Sequence, residues 1–189
     1  MSRFFTFWCI LCTVSGCSIF SQTPFAGNNG VEKPISIAFK LLPPDQGPAP
    51  VLLKQVVTME ARGDQHRFIG VVRITKERVQ MVGLLPTGQQ LFSLDYDGET
   101  LVQENSSYAD VPGQEILTIM QFSLWPKTAV RQYYSGKGGW DVVFSSAQRV
   151  LEKGGEKLLD VQYAGDDLAI ENHTGHYRIL IKTLEKTEL

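Results

Sequence analysis

The residues with the clearest potential for chemistry lie near the start of the chain, where Val14, Ser15 and Gly16 precede Cys17. The small side chains of Ser15 and Gly16 leave the next peptide bond accessible to a peptidase. A cysteine thiol is a nucleophile that can take up an acyl-bearing group. The chemistry open to this segment is therefore cleavage after Gly16 and acylation of the Cys17 thiol.

The segment before Cys17 supports this interpretation. Arg3 supplies a positive charge, and residues 4–14 form an apolar run interrupted only by threonine. Such a run is too short for a transmembrane helix and is typical of a signal peptide. Residues 14–17 resemble the lipobox of bacterial lipoproteins, and this resemblance implies cleavage after Gly16 and attachment of lipid, including palmitate-type chains, at Cys17. By resemblance to enterobacterial sorting rules, Ser18 favours the outer membrane, with the protein facing the periplasm.

The chain is thus predicted to contain a signal peptide (1–16), a lipidated Cys17 with a flexible tether (17–34) and a single domain (35–189). Cys9 and Cys12 leave with the signal peptide, so the mature domain must fold on its core alone, without a disulfide. A net charge of −2 argues against a nucleic-acid partner. We expect a monomer that contacts the membrane through its N-terminal lipid.

The other reactive residue types favour structural roles. His173 and His176 alone supply too few ligands for a metal site, and their spacing suits a turn between two strands. Asp95, Asp97 and Glu99 cluster around a turn that contains the pair Asp97-Gly98, and such a pair is typical of a two-residue hairpin turn. The sequence contains neither a nucleophile elbow nor a phosphate loop. We therefore expect no enzymatic activity, no metal and no cofactor.

Hydrophobic periodicity predicts a domain that is mainly β with a small α part. A stripe of Ile116, Ile119, Met120 and Ser123 predicts a helix over 112–125, and a second short helix is expected over 127–134. Between nine and eleven strands are predicted, on 35–39, from 51 onwards, and on 66–75, 78–85, 90–96, 99–104, 140–144, 148–152, 157–163, 168–171 and 177–184.

Two segments, VGLLPTG at 82–88 and VPGQEIL at 111–117, resemble the outer-membrane acceptor of the lipoprotein-sorting pathway. The order of the elements also resembles the lipoprotein-carrier (LolA/LolB-type) fold. This resemblance implies a strongly curved antiparallel sheet that forms a half-open barrel with a helical lid. A narrower resemblance, over residues 41–184, is to an uncharacterised lipoprotein family often found beside aryl-polyene and fatty-acid-type synthesis genes. It is carried by GLLPTGQ at 83–89, LF at 91–92, YDG at 96–98 and LWP at 124–126.

In such a fold, one set of large apolar side chains is expected to face inward. The set could line a cavity for an acyl or polyene chain, because ligand pockets are mostly apolar, or it could form a filled core. Arg131, next to Tyr133 and Tyr134, could bind an anionic head group, although such residues are more often a solvated helix end. The inward set consists of Phe68, Met81, Phe92, Leu94, Tyr96, Ile119, Phe122, Trp125, Trp140, Phe144 and Tyr163.

One turn departs from the acceptor that it resembles. Leu84, Leu85 and Thr87 form the predicted membrane-facing turn, and the acceptor carries an exposed leucine at the position of Thr87. A threonine gains little by entering an acyl layer. We therefore expect this turn to insert poorly into a membrane.

The sequence as a whole predicts an outer-membrane lipoprotein that binds or relays a hydrophobic acyl or polyene chain, or a lipoprotein, in the periplasm. Two alternatives remain open. The first is a scaffold with a filled core that docks partners at the membrane. The second is a hydrolase or acyltransferase, which lacks a recognisable pair of nucleophile and base.

Overall fold

Alternating apolar and polar residues produce ten strands in the computed structural model, which describes residues 41–107, 111–135 and 138–189. The first five strands precede two helices, and five more follow them. The elements are β1 (Val51–Ala61), β2 (Asp64–Ile74), β3 (Val79–Leu84), β4 (Gln90–Tyr96), β5 (Leu101–Asn105), α1 (Gly113–Leu124), α2 (Lys127–Tyr134), β6 (Trp140–Phe144), β7 (Gln148–Lys153), β8 (Glu156–Ala164), β9 (Asp167–Asn172) and β10 (Tyr177–Glu188).

The ten strands form one antiparallel sheet that does not close. Its order is β5-β4-β3-β2-β1-β10-β9-β8-β7-β6, so two meanders join where β1 pairs with β10. The two edge strands, β5 and β6, are consecutive in the sequence, and the chain between them contains both helices. That connection has to cross the open side of the sheet. The topology therefore brings α1 and α2 onto one face of the half-barrel.

The predicted fold class is confirmed: the described chain is mainly β, with an open antiparallel sheet and two helices. The strand predicted on 35–39 lies outside the described residues. Along β2, Gly70, Val72 and Ile74 are buried while Arg67 and Arg73 are exposed, as the alternation indicates. β10 extends to Glu188, beyond the end predicted from its apolar residues, because it pairs with the full length of β1.

The predicted two-residue turn between β4 and β5 is wrong. Tyr96 pairs with Leu101, so the loop contains four residues. The carboxylate of Asp97 accepts hydrogen bonds from the backbone N–H groups of Glu99 (2.9 Å) and Thr100 (2.8 Å). An aspartate that bonds to the backbone ahead of it in this way stabilises a wider turn than an Asp-Gly pair alone requires.

Helix α1 is buried more completely than its single apolar stripe predicted. Every residue from 117 to 123 is buried, including Thr118 and Gln121, whereas Ile116 is only half-buried. The helix covers the open face of the sheet, as predicted, and its middle is itself packed into the core. The sheet lies on one side of α1, and residues 41–43 lie on the other, where the side-chain amide of Gln121 bonds to the backbone N–H and carbonyl of Leu42, both at 2.8 Å.

Candidate functional site

The structure brings all eleven predicted inward side chains into one hydrophobic cluster between the sheet and the helices. The cluster also contains buried residues from β1, β2 and β6 to β9, so it covers most of one face of the sheet. Met81, Phe92, Leu94, Tyr96, Ile119, Phe122 and Trp125 are buried in it, and Phe68, Trp140, Phe144 and Tyr163 are partly buried against it.

This interior is filled by the protein's own side chains. Phe122 and Trp125 have an exposed fraction of 0%, and Phe92 has 1%. A side chain that borders a water-sized void retains accessible surface, so no such void adjoins these three residues. The ring of Phe92 lies against Gly83 of β3, where an added Cβ would overlap it. An acyl chain can therefore enter this region only if something moves, and its binding here stays a prediction.

The N-terminal end of α1 is held by a group of polar residues that we call the Glu115 cluster: Glu115, Tyr177 and Asn172. The Tyr177 hydroxyl donates to Glu115 Oε1 at 2.5 Å, and Asn172 Nδ2 donates to the same oxygen at 3.0 Å. Burial raises the pKa of the Tyr177 hydroxyl, and the negative charge of Glu115 raises it further. The first turn of α1 is thus bonded to the β9–β10 hairpin.

The C-terminal end of α1 is held by different chemistry. The Arg149 guanidinium donates to the carbonyl oxygens of Phe122 (2.8 Å) and Trp125 (2.7 Å). The Tyr163 hydroxyl donates to the carbonyl of Ser123 at 2.8 Å. Arg149 and Tyr163, which we call the Arg149 cluster, thereby satisfy carbonyls that a helix end leaves unpaired.

Burial also perturbs the pKa values in the Arg149 cluster. It lowers the pKa of Arg149, although the guanidinium stays protonated throughout the physiological range. Burial raises the pKa of Tyr163 to about 12, and the positive charge of Arg149 opposes part of that increase. A cation beside the C-terminus of a helix is favourable because it faces the negative end of the helix dipole.

Sequence reasoning missed the residues that hold α1. Glu115, Asn172, Tyr177 and Arg149 did not figure among the predicted site residues. The one local signal was Gln121, an amide between Met120 and Phe122 in an otherwise apolar run. A buried amide needs hydrogen-bond partners, which indicates that a backbone segment lies across the helix.

A second concave region lies at the tips of two hairpins, β1–β2 and β9–β10. It is an open groove of about 680 Å³ whose lining includes Glu60, Asp64, His173, His176 and Arg178. The two histidines occupy the β9–β10 turn, as their spacing predicts. Within the part of the chain that the structure describes, no group of His, Cys, Asp or Glu side chains could hold a metal ion. The charged lining does not suit an acyl chain.

The predicted membrane-facing turn is a well-formed loop. Leu84 ends β3 and is half-buried, as is Leu85, whereas Thr87 is exposed at the tip. The Leu85 N–H donates to the Gln89 carbonyl, and the Gly88 N–H donates to the Leu85 carbonyl, both at 2.8 Å. The backbone of the turn is therefore fixed by hydrogen bonds, and its tip offers a hydroxyl. Poor insertion of this turn stays a prediction.

Cys17 and the tether lie outside the described residues, so attachment of lipid to the chain stays a prediction. Among residues 41–107, 111–135 and 138–189, no helix is long and apolar enough to cross a membrane.

Comparisons with known proteins place the sequence in an uncharacterised group. Residues 52–185 match the family described as protein of unknown function DUF3261. No curated protein matches the chain. Among solved structures, the chain is similar to a LolA superfamily protein from Nitrosomonas europaea, with a TM-score of 0.44 and 8% identity. That match covers 78% of this chain and 90% of the other.

Proposed function

Because this chain belongs to the DUF3261 family of proteins of unknown function, we propose its function from the geometry of its own residues. It binds a hydrophobic acyl or polyene chain on the face of the sheet that α1 occupies, and relays that chain, or a lipoprotein that carries it. One observation carries this proposal. Helix α1 contributes four apolar side chains to the hydrophobic cluster, and polar clusters at its two ends tie it to the strands.

A helix held in this way can be exchanged for a ligand at moderate cost. Each net hydrogen bond at its ends contributes about 1–3 kcal/mol, whereas each methylene that a ligand buries contributes about 0.8 kcal/mol. The twelve residues of α1 span about 18 Å, which is on the scale of a long acyl chain. A chain of this length can therefore replace much of the apolar contact that is lost when α1 moves off the sheet.

We place the protein at the outer membrane, facing the periplasm, with lipid on Cys17 as its anchor. Two or three acyl chains on one residue hold a protein stably at a bilayer, whereas a single chain does not. The proposed carrier is a monomer and not an enzyme. Hydrolysis of acyl esters by the purified wild-type protein would contradict the last point.

Binding of palmitate to the Cys17→Ser full chain tests the proposal. This variant should leave the membrane fraction, and a membrane-bound mature form would count against anchoring at Cys17. We expect it to bind palmitate, measured by displacement of a fluorescent fatty acid. Tyr177→Phe removes a hydrogen bond to α1 and should raise the affinity about fivefold, because it raises the population of the displaced helix.

Tyr96→Phe is the matched control. It also removes one tyrosine hydroxyl, but that hydroxyl donates to the Gly98 carbonyl at 2.8 Å and not to α1. Palmitate affinity should stay at the wild-type level in this variant. Equal affinities for palmitate in the Cys17→Ser chain, in Tyr177→Phe and in Tyr96→Phe would mean that displacement of α1 does not control access to the site.

A scaffold with a filled core is the second candidate function. It is favoured by the absence of a water-sized void beside Phe92, Phe122 and Trp125. If neither the folded wild-type protein nor the folded Tyr177→Phe variant binds palmitate, the scaffold is supported and the carrier is rejected.

A further inference from the structure

Four cations surround two aromatic rings at one end of the sheet, and we call them the basic rim: Lys127, Arg131, Arg149 and Lys153. Three of them contact a single ring, because Arg131 Cζ, Arg149 Cζ and Lys127 Nζ lie 5.1, 5.7 and 5.9 Å from the centroid of the Phe144 ring. The fourth, Lys153, lies with its Nζ 5.0 Å from the centroid of the Trp140 ring.

The register of the edge hairpin explains this grouping. Phe144 pairs with Arg149, and Trp140 pairs with Lys153, so each cation stands beside an aromatic ring on the same face of the sheet. Two helical residues, Lys127 and Arg131, approach that face from α2. The acidic residues of the hairpin, Asp141 and Glu152, occupy the alternate positions of the two strands and point to the opposite face.

The basic rim is not neutralised by carboxylates among the described residues. The ion pairs in the described part of the chain involve cations outside the basic rim. They are Lys54–Glu185, Arg78–Asp95, Lys157–Asp160 and Lys186–Asp166. Lys127 and Arg131 are exposed, and Lys127 Nζ donates a hydrogen bond to the backbone carbonyl of Ser145 at 3.1 Å. Positive charge at this edge of the molecule is therefore available to an anion from outside.

Two buried polar atoms in the same region lack a partner in the described structure. They are the Nε of Arg149 and the hydroxyl of Tyr134. Both residues contact Phe122 of α1, Arg149 through the Phe122 carbonyl and Tyr134 through ring centroids 6.1 Å apart. A buried donor without a protein acceptor is costly, and either a water molecule or an anionic group from outside can supply the acceptor here.

The basic rim also adjoins the apolar interior directly. Phe144 and Trp140 are packed against the hydrophobic cluster, and Arg149 bonds to the carbonyls at the end of α1. Cations thus lie at the solvent-exposed edge of this region and apolar side chains lie behind them. This order matches an amphiphile with an anionic head and a hydrocarbon chain.

We infer that the basic rim binds the phosphate head group of a lipid whose acyl chain occupies the interior. This inference rests on the proposed function and specifies its ligand class. Lysine and arginine donate charge-assisted hydrogen bonds to phosphate oxygens, and the planar guanidinium of Arg131 can bind two of them at once. Three of the cations lie around the ring of Phe144, so they are close enough together to contact one phosphate group.

Binding of lysophosphatidic acid and of a monoacylglycerol with the same chain, both to the Cys17→Ser full chain, tests the inference. We expect lysophosphatidic acid to bind about tenfold more tightly, with a preference that shrinks as salt is added. Lys127→Gln combined with Arg131→Gln should abolish the preference and leave monoacylglycerol binding unchanged. Both side chains are exposed, so the fold should tolerate these substitutions.

Arg73→Gln combined with Lys182→Gln is the matched control, because it removes the same charge from exposed positions on β2 and β10. This variant should keep the tenfold preference. Loss of the preference in the control would mean that net charge, and not the basic rim, selects the ligand.

The remaining outcomes separate the two proposals. Equal binding of the two lipids by the wild type would overturn the head-group site but leave the acyl-chain carrier intact. Binding of neither lipid would reject the carrier itself. Glycerol phosphate that binds as tightly as lysophosphatidic acid would assign the site to a soluble phosphate compound and overturn the lipid assignment.

Discussion

The two ends of α1 are held by opposite arrangements of charge. At the N-terminal end the helix contributes an anion, Glu115, and the sheet contributes the neutral donors Tyr177 and Asn172. At the C-terminal end the helix contributes neutral carbonyls and the sheet contributes the cation Arg149. Both arrangements complement the helix dipole, since a negative charge lies near its positive end and a positive charge lies near its negative end.

This difference indicates which end of the helix detaches from the sheet more easily. At the N-terminal end, a lost hydroxyl leaves Glu115 with the donor of Asn172, which is 3.0 Å away. At the C-terminal end, one guanidinium serves two backbone carbonyls, so its loss leaves both without that donor. The Glu115 end should therefore open at lower cost, while the Arg149 end keeps α1 attached beside the basic rim.

The largest expected effect is that of Arg149→Met. Buried groups left without a hydrogen-bond partner cost about 1–3 kcal/mol each, and a charge-assisted bond is also lost. We expect the free energy of unfolding to fall by about 3 kcal/mol, measured by urea denaturation. Tyr177→Phe should lower it by only about 1 kcal/mol. Equal losses in the two variants would mean that the ends of α1 are held equally firmly.

A second effect is on the pKa values of Tyr177 and Tyr163, which lie beside opposite charges. Glu115 raises the pKa of Tyr177, so Glu115→Gln should lower it. Arg149 opposes the increase at Tyr163, so Arg149→Met should raise the pKa of Tyr163 above its value of about 12. Spectrophotometric titration of tyrosinate, assigned with Tyr177→Phe and Tyr163→Phe, measures both shifts. Shifts in the same direction would contradict the described charge arrangement.

An effect confined to alkaline pH is that of Tyr163 on the free energy of unfolding. The folded state keeps Tyr163 protonated up to a pKa of about 12, whereas an ordinary tyrosine loses its proton near pH 10. Above pH 10 the unfolded state binds fewer protons than the folded state, so the free energy of unfolding falls as the pH rises from about 10 to about 12. Urea denaturation across this range should show a shallower fall for Tyr163→Phe. An unchanged slope would place Tyr163 in a more exposed environment.

The sequence predicted the strands and helices well because local signals set them. Alternation in β2 and β4 identifies the face toward the core, and Pro112 and Pro126 bound α1. The clusters at the ends of α1 were not predictable in this way. Tyr177 lies 62 residues from Glu115, so their contact depends on strand order and register that no local pattern encodes. The four-residue turn after Tyr96 was missed for a related reason, since it depends on the orientation of the Asp97 carboxylate.

Hydrogen–deuterium exchange of the Cys17→Ser full chain, with and without saturating palmitate, tests most directly whether α1 gives way to a ligand. If it does, amides of Gly113–Leu124 should exchange faster in the presence of palmitate, while those of β1–β4 should exchange no faster or more slowly. Slower or unchanged exchange in α1, with palmitate bound, would mean that the ligand does not displace the helix, and would contradict the proposed exchange of α1 for an acyl chain.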